Sequence, residues 1–246
     1  MSHRKLVTFV LSVVALASAS ARQEPQIVKA EVTQQIQLRY LLFRPAKYDE
    51  DPQRRWPFIL YLHGGSARGD DLDRLRKMGL PKRLEHDAEF PFIVASPLLP
   101  EGEIWTDVSS LMALVNQVAQ DYRVDPARIY VTGHSMGGRG ALYLAYRNPE
   151  RFAAVAAISP YSPITAWGKR LADVPLWFIH GAKDVQAPIK DTEDLVQGIE
   201  KAGGKPRFTS LPEADHFLLD WYDRDDLLEW LLQQRRGADS TNRQAP

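Results

Sequence analysis

Residues 131–140 read V-T-G-H-S-M-G-G-R-G and join an apolar run to a helical pattern through closely spaced glycines. Within them, Gly133-His134-Ser135-Met136-Gly137 is G-x-S-x-G. A serine hydroxyl is a poor nucleophile until a base takes its proton, and a sharp strand-to-helix turn aims its Oγ away from the backbone toward such a base. Glycines flank it because side chains there would strike the neighbouring strand and helix. Arg128-Ile129-Tyr130-Val131 before the motif reads as a buried strand, and residues 140–146 after it carry the small and apolar side chains of a helix packed on a sheet. A glycine-rich turn with an idle serine is the alternative, and the rest of the chain decides between the two.

Working outward, continuous apolar runs of strand length recur at 58–62, 92–96, 152–159 and 174–179, with a further strand at 206–211. Runs apolar on both faces suit central parallel strands covered by helices. Helical patterns alternate with them: 108–122 with Leu111, Leu114, Val115 and Val118 on one face, 188–201 stopped by Gly203-Gly204, and 226–234 with its leucines inward. Residues 72–84 have the spacing of a short helix broken near Gly79-Leu80-Pro81, and partial alternation over 26–33 and 36–43 suggests an edge hairpin. The expected architecture is α/β: a mostly parallel central sheet of about eight strands with helices on both faces. The longest inserts, 98–107 and 160–173, are too short for a large cap domain.

Composition narrows the classes further. The chain has 246 residues and no cysteine, which removes thiol catalysis and cysteine zinc sites. Lys+Arg and Asp+Glu are both 31, so no net charge favours a nucleic-acid partner. A phosphate loop is also disfavoured, because Arg139 and Gly140 stand where lysine and a hydroxyl would be needed. At the start, His3-Arg4-Lys5, the apolar stretch 6–16 and Ala19-Ser20-Ala21 form a signal-peptide pattern over 1–21. The apolar run falls short of the about 20 residues that span a bilayer. These features imply a catalytic domain over 22–236, secreted or periplasmic and not inserted in a membrane, followed by a polar, disordered tail over 237–246.

A nucleophilic serine needs a histidine base and a carboxylate to orient it, in the chain order Ser, acid, His for this kind of turn. Only His180 and His216 lie beyond Ser135. His180 ends an apolar strand without a preceding acid in a comparable loop and reads as structural, which leaves His216 as the base. Asp184, in the turn after the strand, is its orienting acid; Asp215 is the rival, but adjacent residues in an extended loop point their side chains apart. The oxyanion donors expected are the N–H of Met136 and one from the turn after His63, with Gly65 preferred to Ser66. His63 reads as a turn-stabilising residue in preference to a second base, and Arg139, which could reach an anionic substrate group, reads in preference as paired or solvated. Trp105 is either a core aromatic or a wall of the substrate cleft; the wall is preferred, with Trp167 beside it, because loops after the carboxyl ends of strands hold ligands in open α/β sheets.

With these residues in place, the chain resembles the α/β-hydrolase superfamily across nearly all of the mature sequence. Leu62-His63-Gly64-Gly65, Gly133-His134-Ser135-Met136-Gly137-Gly138, and Asp184 in H-G-x-x-D with the late His216 carry the resemblance. The run 122–138 and Ser66-Ala67-Arg68-Gly69-Asp70 make it most similar to the secreted esterase and predicted-peptidase branch related to polyhydroxybutyrate depolymerases, feruloyl esterases and dienelactone hydrolases. The resemblance implies an acyl-enzyme mechanism without metal or other cofactor, acting on a small-molecule or polymer-linked ester. It leaves the acyl and alcohol parts, the choice between ester and peptide bond, and the oligomeric state open. In that branch a tryptophan often follows the histidine closely, whereas here Phe217-Leu218-Leu219-Asp220 precedes Trp221.

Overall fold

The computed structural model describes residues 25, 27–30, 33 and 35–237. The expected signal peptide and the tail beyond Gly237 lie outside the described residues. The chain divides into two units, 1–35 and 36–246, and the described residues of the first form no helix or strand.

In the second unit, seven strands form one sheet: β1 (Tyr40–Phe43), β2 (Trp56–Leu62), β3 (Ile93–Pro97), β4 (Val124–His134), β5 (Ala154–Ile158), β6 (Leu176–Gly181) and β7 (Arg207–Leu211). They lie in the order β1-β3-β2-β4-β5-β6-β7, with β1 antiparallel to β3 and all other pairs parallel. The count is seven where about eight were expected. Of the anticipated hairpin only Tyr40–Phe43 is a strand; residues 27–30 and 35–39 belong to no helix or strand, and Gln26, Glu31, Val32 and Gln34 lie outside the described residues.

Side-chain alternation explains why the sheet is buried on both sides. Phe58, Leu60 and Leu62 of β2, Ile129 and Val131 of β4 and Leu176 and Phe178 of β6 face one core, which α2 (Val108–Asp121), α3 (Met136–Arg147) and α5 (Ile189–Lys201) close. Ile59 and Tyr61, Tyr130, and Trp177 and Ile179 face the other, closed by α1 (Gly79–Leu84) and α6 (Asp225–Gln233). The short α4 (Gly168–Leu171) packs beside α5. Truncating one fully buried leucine such as Leu60 to alanine costs roughly 2–5 kcal/mol in such surroundings.

The Gly79-Leu80-Pro81 triplet starts a helix where the sequence suggested a break. A 3-10 segment, Leu72–Lys77, ends before it, and Gly79 at φ 59 turns the chain into α1. Pro81 then falls in the first turn, where its missing N–H is not needed. The chain runs outward from β2 to β3 and returns to the other side of β2 as β4, so the crevice that open α/β sheets reserve for ligands lies beyond the carboxyl ends of β2 and β4.

Candidate active site

Ser135 sits between the last residue of β4 and the first of α3 at φ 57 and ψ −119, a backbone conformation that a residue with a side chain adopts only when its surroundings impose it. The surroundings are main chain. A Cβ on Gly137 would lie 1.8 Å from the Leu62 carbonyl oxygen, and one on Gly133 would lie 2.4 Å from the carbonyl of Gly137. Strand β2, strand β4 and the start of α3 therefore touch backbone to backbone, and the turn is held with its serine outward.

The loops after β6 and β7 bring the other two candidate residues to it. His216 Nε2 lies 2.8 Å from Ser135 Oγ, and His216 Nδ1 lies 2.7 Å from Asp184 Oδ2. The carboxylate fixes the tautomer: Nδ1–H donates to Asp184, leaving Nε2 as an acceptor that faces the Ser135 hydroxyl. Asp184 Oδ1 accepts the N–H groups of Gln186 (2.9 Å) and Ala187 (2.8 Å), which hold the acid in place. Burial works to raise the Asp184 carboxyl, but the Ala187 N–H, the facing His216 and the Gln186 N–H outweigh it and leave it below the ordinary aspartate value. Asp215 is exposed and caps the N–H of Phe217 (2.9 Å), without a bond to His216.

Three further histidines surround this chain of groups. His63 Nδ1–H donates to the Gly64 carbonyl (2.8 Å) while Nε2 accepts the Leu99 N–H (3.1 Å), so the ring ties the end of β2 to the loop after β3. His134 Nε2–H donates to the His216 carbonyl (2.7 Å), pinning the backbone of that residue. Burial pushes both rings down to about 4, so they are neutral at pH 7. His180, expected to be structural, is fully buried; its Nε2–H donates to the Ala187 carbonyl (2.8 Å) and lies 3.1 Å from the same Oδ2 of Asp184 that meets His216. The sequence did not mark His134 as a partner of the site, since its contact forms only when separate strand ends meet, whereas the His180–Asp184 contact spans four positions at the end of one strand.

The N–H of Met136 occupies the first position of α3, and that of Gly65 the first position of a 3-10 turn, Gly65–Ala67. Such first-turn N–H groups have no acceptor within their own helix. Gly65, and not Ser66, lines the cavity that also contains Ser135, Met136 and His216. This cavity holds about 560 Å³. Trp105 lines it while being only 4% exposed: its Nε1–H donates to the His63 carbonyl (2.9 Å), and its Cβ would lie 2.4 Å from a methyl added to Gly140. The alternatives of core aromatic and cleft wall thus coincide in one side chain. Trp167, 7% exposed, forms another wall and stacks on Tyr143 and Tyr146 at centroid distances of 5.4 and 5.5 Å. Tyr143, Tyr161 and Arg68 also line the cavity and were not singled out from the sequence. Tyr143 was within reach of a periodicity argument, for Met136, Arg139 or Gly140, and Tyr143 recur at the three- and four-residue spacing of one helix face. Among the described residues no group of His, Asp and Glu is placed to hold a metal, and no helix is long and apolar enough to cross a membrane.

Comparison with known proteins agrees with this geometry. The Esterase family model, described as "Putative esterase", matches residues 105–205, a stretch that includes Ser135 and Asp184. The S-formylglutathione hydrolase of Rattus norvegicus is 46% identical over 52 residues, covering 20% of this chain and 18% of that protein. "Putative esterase NocK" of Nocardia uniformis subsp. tsuyamanensis is 28% identical over 174 residues, 65% of this chain and 49% of that protein. The matched segments thus span from about a fifth to about half of these curated relatives. Among solved structures, a thermostable esterase superposes with a TM-score of 0.69 at 26% identity, over 80% of this chain and 59% of that one. The seven-stranded sheet and its topology are those of the α/β-hydrolase fold, and within that fold the chain is similar to esterases.

Proposed function

We propose that the protein hydrolyses carboxylic esters through an acyl-enzyme on Ser135. The observation that carries the reading is the unbroken hydrogen-bonded chain Ser135 Oγ, His216, Asp184, at 2.8 and 2.7 Å. Ser135 Oγ attacks the ester carbonyl carbon as its proton passes to His216 Nε2, and Asp184 stabilises the imidazolium that forms. The N–H groups of Met136 and Gly65 receive the developing oxyanion, an arrangement in which one donor is typically worth about 10²–10³ in rate. Collapse breaks the bond to the leaving oxygen, which takes the proton from His216 and departs as the alcohol. Water then adds to the acyl carbonyl with His216 again as base, and breaking the bond to Oγ releases the acid and restores the serine. Every step is proton transfer and acyl transfer, so the residues present suffice without a metal or another cofactor.

The cleft is walled by Trp105, Trp167 and Tyr143, and Ile104, Tyr161 and Ile164 are exposed at its mouth. An open, aromatic site without a cap accommodates a bulky or polymer-linked ester. The N-terminal pattern adds a second part to the reading: export, with removal of 1–21. A panel of p-nitrophenyl acyl esters, methyl hydroxycinnamates, acetylated sugars and aminoacyl anilides, run beside a serine-reactive phosphonate, tests the chemistry. Ester turnover with label on Ser135 is expected; anilide turnover above that of every ester would make the protein a peptidase. Mass spectrometry of exported protein should find a chain beginning near Arg22, and an intact Met1 would refute processing.

A further inference from the structure

The cavity around Ser135 has an uneven charge. Its lining contains two arginines, Arg68 and Arg139, and no aspartate or glutamate, although the whole chain carries 31 basic and 31 acidic residues. The two guanidinium groups differ in their surroundings. Arg68 is tied down: Nε donates to the Gly65 carbonyl (3.1 Å) and Nη1 to the Glu103 carbonyl (3.1 Å), while its nearest carboxylate, on the exposed Glu101, stands 3.8 Å away. That separation is well beyond the ~2.8 Å of a charge-assisted hydrogen bond. Arg139 is half-buried, and among the described residues its side chain makes no hydrogen bond, ion pair or ring contact.

Position makes the free guanidinium relevant to a ligand. Arg139 lies four residues after the nucleophile, its N–H bonded to the Ser135 carbonyl (3.0 Å), so both side chains rise from the same side of the first turn of α3. The next residue along that face, Tyr143, is already engaged by Arg147, whose Nη1 donates to its hydroxyl (3.0 Å), and Trp167 stacks on its ring. A half-buried cation with open donors beside a reactive group, in a cleft whose lining holds no carboxylate, is a recognition element for an anion.

We infer that Arg139, with Arg68 across the cleft, binds a carboxylate or similar anionic group on the substrate, so that the preferred esters are anionic. This rests on the ester-hydrolase reading and names its substrate class. Arg139 takes no part in proton or acyl transfer; it places the ester by its second charged group, and the aromatic wall contacts what lies between.

Matched ester pairs test this: p-nitrophenyl butyrate against p-nitrophenyl hemisuccinate for an anion on the acyl side, and ethyl acetate against acetylglycolate for one on the alcohol side. In at least one pair, wild-type kcat/KM should favour the anionic member by about tenfold or more, the factor expected of one charge-assisted contact. Arg139→Gln should reduce that ratio about tenfold through KM, Arg139→Lys should retain part of it, and about 0.5 M salt should narrow it in the wild type. Circular dichroism and phosphonate labelling of Ser135 establish that each variant is folded; if the Gln variant fails to fold, the Lys variant and the salt response decide. Ratios near one in both pairs, or a ratio unchanged in a folded Arg139→Gln protein, would overturn the inference while leaving ester hydrolysis standing. Absence of turnover on all four esters together with absence of label would instead remove the hydrolase reading on which it rests.

Discussion

The turn that carries Ser135 and the wall that faces it are built in opposite ways. The turn is main chain against main chain: Leu62, Gly133 and Gly137 approach too closely for any Cβ, and two neutral histidines, His63 and His134, hold the adjoining strand end and the backbone of His216. The wall is side chain on loops and helix surface: Trp105, Trp167, Tyr143 and the arginines. The contrast separates two kinds of mutational effect. Changes in the turn and its acid–base partners act on every substrate alike, because they alter where the reacting atoms sit. Changes in the wall act on some substrates and spare others, because they alter only what is held nearby.

The largest effect should come from Ser135→Ala, which is expected to lower kcat by on the order of a million-fold on all esters with an unchanged circular dichroism spectrum. Residual activity near wild type would break the comparison at its root. Next, Asp184→Asn should reduce kcat by about 10⁴, since the amide no longer fixes the imidazole tautomer, whereas Asp215→Asn should change it by less than about threefold. Reversal of that order in steady-state kinetics would transfer the orienting role to Asp215.

Acid should weaken the region around the turn at an earlier point than an ordinary carboxylate titration would. His63 and His134, lowered by burial to about 4, stay neutral in the fold while the unfolded chain takes up protons near 6.5. Their contribution is complete above about pH 6.5 and is lost as pH falls toward 4, on the order of 3 kcal/mol for each ring. Asp184, with a depressed carboxyl, adds stability that persists above the ordinary aspartate value and disappears only as pH falls through its lower folded value. The urea midpoint should therefore decline between pH 6.5 and 4; a level profile there would show that the rings are protonated without penalty. The smallest effect belongs to the wall. Trp167→Ala should cost about tenfold in kcat/KM on aromatic esters and markedly less on acetates, as one stacking surface is worth roughly 1 kcal/mol. Equal losses on both series would move Trp167 from the wall into the support of the turn.

This difference in construction also governs what could be read from the sequence. The alternation of buried strands and helices, and the convergence of Ser135, Asp184 and His216 at one end of the sheet, were legible because each rests on short-range pattern: an apolar run, a glycine pair, a polar residue just past a strand end. Asp184 was separable from Asp215 by local geometry alone. What escaped were contacts made by tertiary approach. Nothing near His134 in the sequence foretells its bond to the carbonyl of His216, 82 positions away. His180, by contrast, lies only four positions from Asp184, so its approach to that carboxylate is local and within reach of the H-x-x-x-D spacing. Residues 26–33 alternate weakly, but the described ones belong to no strand, and at Gly79 a positive φ begins a helix where glycine followed by proline suggested an end. Trp105 was legible as a wall, not as the residue that also donates to the His63 carbonyl.

The close passage of Gly137 against Leu62 has a thermodynamic consequence. A side chain positioned by other side chains retains rotamers, and each catalytic cycle must select the productive one anew. At Ser135 the backbone is fixed by close main-chain contacts that form when β2, β4 and α3 assemble. In the proposed reaction, the backbone entropy lost in aiming Ser135 is therefore surrendered once, during folding, and does not recur in the activation barrier of each turnover.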